Sequence, residues 1–135
     1  MNLDNNNSEN EKIIKYFLET SEEDFDTMKT LFKSKKYAWA LFLGHISVEK
    51  LLKALYVTIK NKPAPFIHNL YRIAELSEID ISDEHADWLD MITTFNINAR
   101  YEDFKREFYN QCTYDFTLLW IERIKILTQW IKTML

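Results

Sequence analysis

The chain has 135 residues, with 17 Lys and Arg against 21 Asp and Glu and a formal net charge of −4. Apolar residues make up 47% and aromatics 15%, enough for one core, so global disorder is excluded. One Gly and two Pro are too few for the turns of a sheet protein, and they remove every Gly-rich phosphate loop.

Cys112 is the one cysteine, which excludes an intrachain disulfide and a Cys-rich zinc site. It reads as a small apolar residue in or near the core rather than as a reactive thiol. No apolar run reaches the ~20 residues that cross a bilayer. Residues 1–10, Met-Asn-Leu-Asp-Asn-Asn-Asn-Ser-Glu-Asn, lack the basic and apolar regions of a signal peptide. They read as a frayed, disordered polar tail on a cytoplasmic protein, with one domain over 11–135.

The first periodic segment runs from about Glu9 to Ser34. Ile14, Phe17, Leu18, Ser21, Phe25, Met28, Leu31 and Phe32 recur at helical spacing, with charges on the other face. Ser8 is the expected cap, with Glu11 three residues on as the returning carboxylate. After the polar joint 33–36, a second helix spans about Tyr37 to Lys60. Its first half, Tyr37 to Leu43, is apolar on every side, so it is either central in a core or covered by a second subunit. Gly44 inside it predicts close approach of another backbone. Val48, Leu51, Leu52, Leu55 and Ile59 are expected inward in the second half.

Pro63 and Pro65 end this helix. A short third helix is expected over about Asn69 to Glu78, with Asn69 as its cap. Ser82 caps a fourth helix that continues to Asn96 or Asn98, with His85 exposed in its first turn. The charge-dense stretch Arg100 to Glu107 lacks a clean stripe and is expected to be a loop anchored by Tyr101, Phe104 and Phe108. The last helix runs from about Thr113 to the C-terminus, with Phe116, Leu119, Trp120, Ile124, Leu127, Trp130 and Ile131 inward. The expected architecture is all-α, an up-and-down four- or five-helix bundle.

His45, Glu49 and Lys53 stand one turn apart and form a polar edge on the second helix. This edge either satisfies buried polar groups across helices or lines a cleft; it has too few ligands for a metal. Arg100 and Tyr101 at the end of the fourth helix suit a phosphate and a stacked base. The alternative for Arg100 is an ion pair with Glu49 across the bundle. No Ser, Cys or Thr occupies a nucleophile setting, and no cofactor is expected.

The stretch Tyr37-Ala38-Trp39-Ala40 through Ser47-Val48-Glu49-Lys50-Leu51-Leu52-Lys53-Ala54-Leu55 resembles the second-helix signature of HEPN domains. His68-Asn69-Leu70 matches that family's third element, and Asn98-Ala99-Arg100-Tyr101-Glu102-Asp103 resembles its Arg-Tyr-Pro-Asp motif, with Glu102 in place of the proline. The resemblance covers the chain from about Glu11 onward. It implies a bundle that dimerises, often beside a minimal nucleotidyltransferase in a toxin–antitoxin pair, and it implies nucleotide or RNA binding. Many relatives are metal-independent ribonucleases with an Arg followed four to six residues later by a His. Here no His follows Arg100.

The leading expectation is therefore a homodimeric module that binds a nucleotide or RNA, a nucleotidyltransferase-type partner, or both. Lys50, Lys53, His68, Asn69, Arg100 and Tyr101 are the expected ligand-binding residues, and His45 and Glu49 the polar network. One alternative is a ribonuclease toxin in which His68 or His45 replaces the missing histidine. Another is a purely structural subunit. Dimerisation is expected through the crowded Tyr37, Trp39, Leu41, Phe42 and Leu43.

Overall fold

A computed structural model describes residues 2–135. Of the polar tail expected over 1–10, Met1 and the side chains of residues 2–6 lie outside the described residues. Six helices are described: α1 (Asn2–Lys33), α2 (Tyr37–Lys60), α3 (Leu70–Leu76), α4 (Asp83–Arg100), α5 (Glu102–Gln111) and α6 (Tyr114–Lys132). The fold is an all-α helical bundle, with no strand among the described residues.

Local chemistry explains most boundaries. Asn69, Ser82 and Thr113 are N-caps whose side chains accept from the amides of Arg72, His85 and Phe116. Ser8 lies inside α1 rather than capping it. The α1–α2 joint closes as a Schellman motif, with the Lys36 amide on the Leu31 carbonyl at 2.8 Å and the Lys35 amide on that of Phe32 at 3.0 Å. Lys35 takes the left-handed position at φ 63° that glycine usually fills.

α1 and α2 are antiparallel, since Asn10 meets Asn61 and Ser21 meets Ser47 in opposing order. Ser21 Oγ donates to the Ser47 carbonyl at 2.8 Å, and Ser47 Oγ donates to that of Ser21 at 2.9 Å. Two small side chains let the backbones approach closely while satisfying both hydroxyls.

α2 is the axis of the molecule and packs against each of the other five helices. That is why its first half is apolar all round. Leu41 is fully buried, and Phe42 and Leu43 are partly buried, so the bundle itself covers them. Of the group expected to drive dimerisation, Leu41 is buried, Tyr37, Phe42 and Leu43 are partly buried, and Trp39 is half exposed. Gly44 faces side chains rather than a backbone: a Cβ there would stand 2.5 Å from Ile124 Cδ1 and 3.0 Å from Met28 Sδ.

Three further expectations are corrected. Ile59 and Leu119 are exposed, and Leu119 sits ~100° round the helix from Trp120, off the buried stripe. His85 is partly buried, its ring 4.7 Å from that of Trp130 and 5.3 Å from that of Trp88. Residues 102–111 form α5 rather than a loop, with Glu102 and Asp103 favourably placed in the first turn and Phe108 buried. Cys112 packs in the core, and burial pushes its thiol up to about 12.

Candidate functional site

α2 delivers Glu49 to the segment that joins α2 to α3. The Glu49 carboxylate takes two partners: Lys53 Nζ donates to Oε2 at 3.0 Å, and His68 Nδ1 donates to Oε1 at 2.9 Å. Glu49 and Lys53 are nearly buried, whereas His68 is exposed. With Nδ1 donating, the neutral His68 ring presents a bare Nε2 lone pair, which has no partner among the described residues.

His45 lies one turn before Glu49 and is 1% exposed. Its Nε2 is 3.1 Å from the His68 carbonyl oxygen, which only accepts, so Nε2 carries the proton. Nδ1 is then a buried acceptor without a partner. Burial pulls the His45 pKa below its ordinary 6.5, and the hydrogen bond to His68 and the Glu49 charge 3.8 Å away oppose this only in part. His45 is thus a neutral strut that holds the His68 backbone, while Glu49 holds the His68 ring. The polar edge read from the sequence is this network.

From the other side, α4 ends at Arg100 and turns into α5 at Tyr101. Arg100 does not pair with Glu49. Its Nη1 reaches Asn96 Oδ1 at 3.5 Å, and no carboxylate neutralises it among the described residues. His68, Asn69, Thr93, Asn96, Ile97, Arg100 and Tyr101 line one cavity of about 430 Å³. Four of the expected ligand residues therefore share a cleft. Asn69 also caps α3 through Oδ1, which leaves its amide NH₂ for the cavity.

Lys50 and Lys53 do not line this cleft. Lys50 is bound to Asp24 of α1 at 2.6 Å, on the α1–α2 seam. Lys53 neutralises Glu49. Three cleft residues were not among those expected, Thr93, Asn96 and the exposed Ile97. Thr93 accepts the Leu70 amide at 3.1 Å and so ties α3 to α4. Asn96 sits one turn before Arg100, and that i, i+4 spacing was its available signal. The described residues hold no group of three or more His, Cys, Asp or Glu suited to a metal, and no helix long and apolar enough to cross a membrane.

The arrangement offers one unneutralised guanidinium, two amides, one hydroxyl, one phenol and one carboxylate-oriented imidazole around a cavity. That set suits an anionic ligand with a planar or hydroxylated part. Comparison with known proteins agrees in fold. The crystal structure of TT1696 from Thermus thermophilus is similar, with a TM-score of 0.78 and 15% identity over 90% of this chain and 98% of that one. No curated protein matches the chain. The family model described as HEPN domain matches residues 14–134, and the chain belongs to the HEPN domain family.

Proposed function

We propose that the protein is a cytoplasmic, homodimeric binding module that takes the phosphate of a nucleotide or RNA in the His68–Arg100 cleft. It works beside a nucleotidyltransferase-type partner in a toxin–antitoxin pair. The observation that carries the ligand reading is Arg100, a guanidinium lining a cavity with no carboxylate to neutralise it among the described residues. A phosphate supplies that charge and accepts the fork of donors. Tyr101 lines the same cavity and is exposed, free to stack on a base, and the Asn69 amide adds a donor.

The dimer reading draws on a different surface from the start of α2. Met91, Ile97, Tyr101 and Phe104 are exposed along α4 and α5, and Phe66 is wholly exposed beside His68. Exposed apolar groups of this kind favour a covering partner. The partner class rests on the sequence resemblance to the family branch.

The test is calorimetric titration of AMP and of a short RNA into the protein and its Arg100→Ala variant. Loss of a charge-assisted contact of about 1.5–3 kcal/mol predicts roughly a ten- to hundredfold weaker affinity. Equal affinity in the two proteins, or no binding by the parent, refutes the ligand reading and leaves a structural subunit. Light scattering at micromolar concentration tests the dimer, with twice the 16.3 kDa chain mass expected.

One observation favours a second reading, the ribonuclease. The 2.9 Å Glu49–His68 pair holds an imidazole with a free Nε2 in the same cavity as Arg100. Nε2 would take the proton of a ribose 2′-hydroxyl as its oxygen attacks the adjacent phosphorus. Arg100 would hold the phosphate, and the protonated imidazole would return the proton to the departing 5′-oxygen. The products would be a 2′,3′-cyclic phosphate and a 5′-hydroxyl end. Incubation of RNA with the protein and with His68→Ala decides it: cleavage by neither excludes the enzyme.

A further inference from the structure

A second cavity of about 490 Å³ opens where the first turn of α2 meets α5. Its floor is apolar and made of Ala38, Ala99 and the buried Phe108. Two aromatic rings reach solvent at its edge, Trp39 at 51% and Tyr109 at 70% exposure. Trp39 stands edge-on to Phe42, with ring centroids 5.9 Å apart and planes at 82°, so its orientation is restrained. Lys105, Arg106 and Asn110 complete the lining with Glu102. Lys105 pairs with Glu102 at 3.3 Å, whereas Arg106 has no carboxylate partner among the described residues.

The position of this cavity matters as much as its lining. Ala99 and Glu102 wall it, while the two residues between them, Arg100 and Tyr101, wall the His68 cleft. The α4–α5 corner is the partition between the two. From Tyr101 to Tyr109 the rise along α5 is ~12 Å at ~1.5 Å per residue. A single nucleotide whose phosphate sits on Arg100 stays on one side of the corner, and a longer strand crosses it.

We propose that this cavity is a stacking subsite for a nucleobase, and that the ligand spanning both cavities is single-stranded RNA of at least two nucleotides rather than a mononucleotide. This rests on the reading that Arg100 takes a phosphate. Trp39 and Tyr109 offer π-faces to the base, the Asn110 amide meets its edge, and Arg106 meets the following phosphate. Aromatic platforms with interleaved cations bind single strands in this way, largely without regard to sequence.

The test measures rA4 by fluorescence anisotropy and AMP by calorimetry, on the parent and on Trp39→Leu, Tyr109→Leu and Arg100→Ala. Both aromatic side chains are half exposed or more, so their replacement spares the core. The parent is expected to bind rA4 more tightly than AMP. Trp39→Leu should weaken rA4 roughly tenfold or more while leaving AMP within about twofold, and Arg100→Ala should weaken both. If neither aromatic variant changes rA4 affinity while Arg100→Ala does, the subsite is overturned and the Arg100 reading stands. If Trp39→Leu weakens AMP as much as rA4, the cavity serves a mononucleotide and the proposal fails. If the parent binds neither probe, both readings fall.

Discussion

Replacing Gly44 with Ala sets two effects against each other inside α2. Alanine is favoured over glycine in a helix interior by about 1 kcal/mol. The new Cβ, however, would stand 2.5 Å from Ile124 Cδ1 and 3.0 Å from Met28 Sδ, the ends of two fully buried side chains that would have to shift. Overpacking of this kind costs about 1–3 kcal/mol. The clash should win, so Gly44→Ala is expected to lower stability by about 1 kcal/mol. Ile124→Val removes the offending Cδ1 and alone costs about 1 kcal/mol. In that background Cγ1 at 3.7 Å is in ordinary contact, and Met28 Sδ at 3.0 Å, the end of a flexible side chain, is the one close neighbour left to shift. Gly44→Ala should then stabilise, by roughly its helix-propensity gain. The double-mutant cycle thus predicts a favourable coupling of about 1–2 kcal/mol. Equilibrium urea unfolding followed by circular dichroism, at one protein concentration throughout, measures it. A Gly44→Ala effect of equal size and sign in both backgrounds would refute the steric argument.

Two other outcomes follow from the site. Glu49→Ala leaves the nearly buried Lys53 ammonium without its counter-ion and frees the His68 ring. It should cost about 3 kcal/mol in the same unfolding assay, and Lys53→Met added to it should recover part of the loss. His45 is neutral when folded because burial lowers its pKa, so the unfolded chain takes up a proton there first as pH falls below 6.5. Its contribution is therefore fully present above pH 6.5 and is lost on acidification, by up to about 1.4 kcal/mol per pH unit. Stability curves of the parent and His45→Gln should diverge in slope between pH 6.5 and 5, and parallel curves would contradict the assignment.

The caps at Asn69 and Ser82 were legible because each is decided by a side chain and an amide within three residues, and Thr113, expected only as the start of the last helix, caps it in the same way. α5 was read as a loop because its ten residues are dense in charge and only Phe108 among them is buried, although Phe104 and Phe108 do stand one turn apart. Within the site, His68, Asn69, Arg100 and Tyr101 could be read because they flank helix ends that meet in space. Lys50 could not be separated from Lys53 by spacing alone. What separates them is a carboxylate on another helix, Asp24, and the sequence of α2 contains no trace of it. The same holds for Glu49, whose place on the polar edge was visible but whose choice of His68 over Arg100 depends on how the α2–α3 connection folds back.

The exchange of hydroxyls between Ser21 and Ser47 bears on how the two longest helices find their setting. Leucine and phenylalanine surfaces slide past one another easily, since one methyl serves as well as the next. A hydroxyl that must meet one particular carbonyl does not slide. Displaced by a turn of ~5.4 Å, both serines would sit in a dry seam with their protons unshared. The pair acts as an indexing pin, and Asp24 and Lys50, each three positions further along, engage only at the notch it selects.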